Sequence, residues 1–177
     1  MSKKISNNQK KLNEALVIAA DIHRHQVRKA PDGRPYICHV LDVVHAIPEK
    51  CPEARLVAAL HDTIEDAALK KDSPAVAKKK RDEVRRRITA GDFGPGILEA
   101  VEAISHIERF GPPELSDEAE YLLYIEKSVK DNPLASQVKI IDNYMNMKDL
   151  VGHSAKAKKR AKLRKYAMSI ALLTEPK

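Results

Sequence analysis

Tryptophan is absent from this chain, and all aromatic residues together make up only 4% of it. A core must therefore be assembled from Leu, Ile, Val and Ala, which favours helices over a β-sandwich. Long apolar runs are missing too. The stretch "ALVIAA" near the start is too short for a membrane span or a signal-peptide core, and it runs directly into Asp21. A cytoplasmic location with no membrane partner is the expectation. There are two cysteines, Cys38 and Cys51, without a CxxC spacing or a His-rich partner motif. That argues against both a disulfide framework and a zinc knuckle, and leaves buried free thiols as the expected state. No alternating strand pattern longer than about four residues is found, and no repeat with a period of roughly 20 to 50 residues.

What the chain does have is ordinary soluble-protein composition, with 43% hydrophobic and 32% charged residues over 177 positions. This is enough to bury a substantial core and too apolar for wholesale disorder, so a single domain over 1–177 is expected, its core at about 9–172. The net charge of +7 comes from two runs, "KKKRDEVRRR" at 78–87 and "KAKKRAKLRK" at 156–165. Such runs attract polyanions, either nucleic acid or phosphorylated small molecules. No aromatic residue interleaves with them to stack bases, so solvated helix faces are the simpler reading and nucleic acid is not the expected partner.

The pattern is helical throughout. Leu12, Ala15, Leu16, Ala19 and Ile22 follow the three-and-four spacing of an amphipathic helix, and "RKAPDGRP" then forces a turn. "YICHVLDVVHAI" and "PEARLVAALHDTIEDAAL" are helices separated by Pro48, with Pro52 in the first turn of the second. A charged helix covers about 74–90 and is broken by "GDFGPG". "ILEAVEAISHI" follows, then a helix capped at Ser116 or Asp117, and the last two helices are "LASQVKIIDNYMNMKDLV" and "AKAKKRAKLRKYAMSIALL". The expected fold class is all-α, with seven or eight helices.

One stretch, "AALHDTIEDAA" at 58–68, carries a histidine and three acids within six positions. On a helix at about 100° per residue, His61, Asp62, Glu65 and Asp66 share one face beside an apolar stripe of Leu56, Val57, Leu60 and Ile64. Like charges one turn apart repel, and no Lys or Arg lies between Arg55 and Lys70 to relieve them. A divalent cation would, and imidazole mixed with carboxylate suits Mn²⁺, Fe²⁺ or Zn²⁺ better than Ca²⁺. Further ligands must come from other helices. His39 and Asp142 each interrupt an apolar helix, and Asn146 lies one turn beyond Asp142, on the same face.

The order "HQVRKAPDGRPYICH", "AALHDTIED" and "VKIIDNYMNM" resembles the HD-domain phosphohydrolases. Within them it is most similar to the RelA/SpoT-type alarmone hydrolases, which remove the 3′-pyrophosphate of (p)ppGpp with Mn²⁺. The resemblance runs over about residues 9–170 and implies an HD-domain helical bundle. It also implies metal ligands at His39, His61, Asp62 and Asp142, a catalytic acid pair at Glu65 and Asp66, and substrate contacts at Arg28, Lys29 and Asn146. The expected cofactor is Mn²⁺ or another divalent metal, and the expected partner a phosphorylated nucleotide. By the same resemblance the chain is a small standalone hydrolase without room for a synthetase domain or regulatory tail. The chain departs from the family pattern at Val40, at Ala67, at His25 in place of glycine, and across "IIDNYMNM". None of these removes a ligand or a proposed acid, but pocket walls rather than ligands select the base.

Two other readings stay open at this level. One is an HD-type phosphatase for a different nucleotide phosphate, and the other a non-catalytic basic helical protein that binds nucleic acid. A nucleotide panel separates the first, and salt-dependent nucleic-acid binding indifferent to Asp62→Ala would mark the second. A homodimer is compatible with the sequence, which carries no signature of one. His23 and His25 are expected to be structural, His106 and His153 to lie on the surface, and Tyr121 and Tyr124 to pack in the core.

Overall fold

A computed structural model describes residues 5–28, 33–150 and 157–175, and among these no β-strand occurs. The first helix, α1 (Asn7–Ile22), starts at Ser6, whose hydroxyl accepts from the Gln9 amide while the Gln9 side chain accepts from the Ser6 amide. This reciprocal cap satisfies two of the unpaired donors at a helix start. An isolated antiparallel bridge between Val27 and Pro35 then closes the turn that the prolines demanded, placing Arg28 and Tyr36 side by side ahead of α2 (Ile37–Ala46).

The next helix, α3 (Pro52–Leu60), is buried at Ala54 and at every position from Leu56 to Leu60. It packs against α1, α2 and two later helices, α6 (Ile97–Ile104) and α8 (Pro133–Leu150). The apolar stripe of Leu56, Val57 and Leu60 is thus widened by the small, buried Ala58 and Ala59, where neighbouring helices close in on the other sides.

The hydrophobic pattern predicts one continuous helix from Pro52 through Leu69. Instead α3 ends at Leu60 and a single turn, α4 (Thr63–Asp66), follows. Between them Asp62 adopts φ −102° and ψ −2°, and the Thr63 hydroxyl bonds back to the Leu60 carbonyl at 2.7 Å, occupying a helix acceptor.

The charged helix, α5 (Pro74–Ala90), is capped by Ser73, and α7 (Asp117–Tyr124) by Ser116. α7 widens into a π-helical turn at Ile125–Val129, and α9 (Ala157–Thr174) packs along α8 and α7. Apart from the single turn α4, eight α-helices are present among the described residues, in line with the expectation. No described helix is long and apolar enough to cross a membrane.

Candidate metal centre and adjoining clefts

The central helix α3 delivers His61 and Asp62 at its end, α2 supplies His39 from its first turn, and α8 brings Asp142 across from the other side. Ligand atoms of His39, His61 and Asp62 all lie within 4.8 Å of one another. Asp142 Oδ1 joins them, 3.1 Å from His39 Nε2 and 3.8 Å from His61 Nε2. His61 donates from Nδ1 to the Ala58 carbonyl at 2.7 Å, which turns Nε2 towards the cluster. That Nε2 is buried and 2.9 Å from Asp62 Oδ2, yet it makes no hydrogen bond. A buried nitrogen crowded by carboxylates without a hydrogen bond is what a shared cation would resolve, and the two-imidazole, two-carboxylate set fits a transition-metal ion. These four residues can hold one.

The electrostatics follow from the crowding. Burial by itself would push His61 down, but Asp62 and Asp142 outweigh it and raise the imidazole to about 9. Burial would raise both carboxyls. His61 and His39 instead hold Asp62 well below its usual range, and Lys139, His39 and His61 hold Asp142 below its own.

Glu65 and Asp66 have moved the other way. Burial, reinforced by Asp62, raises Glu65, and burial, then Asp62 and Glu65, push Asp66 up to about 7. Neither is directed at the ligand cluster. Glu65 Oε2 accepts from the His106 amide at 2.9 Å, and Asp66 Oδ2 lies 3.7 Å from His23 Nδ1. A carboxyl raised to about 7, as Asp66 is, is suited to exchanging protons near neutrality.

Arg28 is half-buried, with its guanidinium 5.6 Å above the Tyr36 ring. It donates to Asn146 Oδ1 at 3.0 Å and to Asp149, and Asn146 Nδ2 in turn donates to Asp142 Oδ1 at 2.7 Å. A continuous chain of hydrogen bonds thus links Arg28 to the metal cluster. Lys29 lies outside the described residues.

Two clefts of about 400 Å³ each meet here and share Tyr36, Asn146 and Tyr166. The first runs past Arg28, Val27 and Leu150 and has mostly apolar walls. The second is polar, and holds Asp62, Glu65, Asp142, Lys139 and Lys165.

Several residues outside the expected set border this region. The Tyr36 hydroxyl donates to Asp62 Oδ2 at 2.6 Å. His23 is buried, with Nε2 unpartnered and burial holding its imidazole below the ordinary value. His106, expected on the surface, stacks on Tyr124 with ring centroids 4.4 Å apart and bonds Glu120 Oε1 at 2.7 Å. No helical spacing could reveal that pairing, because His106 lies in the loop after α6 and Glu120 is fourteen positions on, in α7. His25 is exposed, His153 lies outside the described residues, and Cys38 and Cys51 are free thiols, half-buried rather than fully buried. Tyr124 is in the core as expected, while Tyr121, nearly buried, also edges the polar cleft.

The basic run of α5 is occupied within the chain. Lys78 pairs with Asp82, Lys80 with Asp72, Arg85 with Asp82 and Glu102, Arg86 with Glu83, and Arg87 with Asp21.

No family model matches the chain. Among curated proteins it is similar to guanosine-3′,5′-bis(diphosphate) 3′-pyrophosphohydrolase MESH1 of Homo sapiens, at 31% identity over 143 residues, or 78% of this chain and 69% of that protein. The Drosophila melanogaster protein of the same name matches at 31% over 144 residues, covering 79% and 69%. In three dimensions the chain resembles the solved structure of a metazoan ortholog of SpoT that hydrolyses ppGpp and plays a role in starvation responses. The TM-score is 0.62 and the identity 23%, over 98% of this chain and 89% of the other, a likeness of fold.

Proposed function

Since the chain belongs to the MESH1 family of HD-domain ppGpp 3′-pyrophosphohydrolases, we propose that it hydrolyses the 3′-pyrophosphate of ppGpp or a closely related nucleotide. One observation of geometry supports this most strongly. The hydrogen-bonded path Arg28, Asn146, Asp142, His39 joins a guanidinium suited to phosphate to a cluster suited to a divalent cation.

In this reading His39, His61, Asp62 and Asp142 hold the ion, with Mn²⁺ the first choice for a mixed imidazole and carboxylate set. Bound there, a divalent ion supplies Lewis acidity and offsets negative charge in phosphoryl transfer. The chain's own residues do the rest. Glu65 and Asp66 orient the attacking water and accept its proton, and whichever of the two is protonated returns one to the departing ribose oxygen. The water oxygen bonds to the phosphorus on the 3′ oxygen as that P–O bond breaks, giving pyrophosphate and a nucleotide with a free 3′ hydroxyl. Arg28 and Lys29 clamp phosphate, Arg28 through its fork and Lys29 as a point charge. Asn146 aligns the nucleotide between the two clefts, the less polar one taking the nucleoside.

The test is metal analysis of the purified protein together with product identification on ppGpp in Mn²⁺. Pyrophosphate is the expected product. Orthophosphate from another nucleotide, with none of the expected product from ppGpp, would replace this reading with that of a different HD-type phosphatase.

A further inference from the structure

Two ammonium groups in the polar cleft have no task in that chemistry. Lys139, on α8 and nearly buried, places Nζ 3.2 Å from Asp142 Oδ2 and 5.9 and 5.8 Å from the ring centroids of Tyr121 and Tyr124. Lys165 reaches in from α9, half-buried, with Nζ 4.0 Å from the Tyr121 centroid and 5.0 Å from that of Tyr166. Both line the cleft that holds Glu65 and Asp62, and both stand over the ring of Tyr121.

This is an unusual arrangement for two like charges. Lys139 has a carboxylate of its own. Lys165 makes no hydrogen bond or ion pair among the described residues, and its ammonium is disfavoured by burial and next by Lys139. The carboxylates nearby favour it only from a distance: Glu120 is engaged by the His106 imidazole and the Phe110 amide, and the side chain of Asp117 stands fully in solvent. Tyrosine faces partly compensate a cation but leave its N–H donors unused. Two part-desolvated ammonium groups along one wall, one of them unpaired, are complementary to a multiply charged anion that enters the cleft.

We propose that Lys139 and Lys165 receive the outer phosphate of the substrate's pyrophosphate group, so that the polar cleft holds the leaving end while the less polar cleft holds the nucleoside. Lys139 is fixed in place by Asp142, and Lys165 is lent by α9. The assignment rests on the proposed reaction, but it can be tested without turnover.

Calorimetric titration of inorganic pyrophosphate into the metal-loaded protein reads it directly. Wild type is expected to bind, Lys165→Ala to bind about tenfold more weakly, and Lys165→Arg to keep most of the affinity, as loss of one charge-assisted hydrogen bond requires. Arg164→Ala, which removes an exposed charge next in sequence that pairs with Glu118, controls for net charge and is expected to bind like wild type. Equal binding by wild type and Lys165→Ala overturns the proposal, and so does an equal loss in Arg164→Ala. Lys139→Gln is a second probe, read only where its circular dichroism matches wild type, and unchanged pyrophosphate affinity in it removes Lys139 from the site. A wild type that binds pyrophosphate through Lys165 but releases none from ppGpp defeats the substrate reading and leaves the anion site standing.

Discussion

His39 Nε2 and Asp142 Oδ1 meet at 3.1 Å although 103 positions separate them in the chain. The contact joins the first turn of α2 to the middle of α8 beside the end of the central helix, and closes the ligand cluster around His61 Nε2. Folding therefore gathers two imidazoles and two carboxylates in one buried space.

A bound ion relieves that crowding, so metal is expected to stabilise the protein. At a concentration about a hundredfold above its dissociation constant the gain is about 2.7 kcal/mol, or a melting-temperature rise of roughly 5 to 10 °C. Chelator should reverse the shift in wild type and have no effect on Asp142→Asn. Differential scanning calorimetry with and without chelator decides this, and identical wild-type curves would refute a resident ion.

Tyr36 holds Asp62 through a 2.6 Å hydrogen bond from its hydroxyl. Removing that hydroxyl frees a ligand carboxylate to rotate, and Tyr36→Phe is expected to weaken metal binding about tenfold while leaving the fold intact. Competition with a metallochromic indicator measures the affinity. An unchanged constant would mean that the phenol does not orient the ligand.

Asp66 titrates at about 7 when folded, raised by burial and then by Asp62 and Glu65, against 3.8 for the free side chain. Between those values the unfolded chain releases a proton that the folded one keeps. The metal-free protein therefore loses stability as pH rises from 3.8 to about 7, and loses no more above it. Asp66→Asn removes this penalty. At pH 8 the metal-free variant should be more stable than wild type by roughly 2 kcal/mol, about half the full linkage because water reaches a third of the side chain, and near pH 4 the two should agree. Urea melts at both pH values provide the comparison, and equal midpoints at pH 8 would contradict the assigned environment.

Glu120 acts on the acid pair at one remove. It anchors the His106 imidazole at 2.7 Å, and the His106 amide holds Glu65 at 2.9 Å. Glu120→Ala is expected to lower kcat about tenfold with KM little changed, and Glu120→Gln, which keeps an acceptor oxygen, to recover most of it. Steady-state kinetics on both variants separate positioning from binding, since a rise in KM alone would place Glu120 on the substrate instead.

Arg28 faces the shared edge of the two clefts. Arg28→Ala is expected to raise KM about thirtyfold, as loss of a charge-assisted contact to phosphate predicts, and Arg28→Lys to recover only part because a single ammonium cannot replace the fork. Substrate titration is the measurement, and a full recovery by lysine would argue against bidentate contact.

Most helices were legible in the chain because their signals are local. The cap at Ser116, the proline at position 52 and the glycine-rich break after α5 act within a few residues, and the structure has each of them where expected. The ligand candidates were legible for a related reason: an imidazole or a carboxylate inside an apolar helix must answer to something. The break between α3 and α4 was not, since a 3.6-residue period does not register a single residue with ψ near zero, nor a threonine hydroxyl that takes a backbone acceptor.

By itself the sequence determined the all-α class, the order of the elements and the residue types at hand for one cation, all consequences of periodicity and side-chain chemistry. Only the tertiary structure decided how they are used. Whether Lys139 is a solvated charge or a buried one, whether His106 lies on the surface or braces Glu65, and which acid answers Arg28 depend on which helices pass behind them. Those contacts span from 3 to 121 positions of sequence and arise from packing around α3, for which a linear pattern carries no signal.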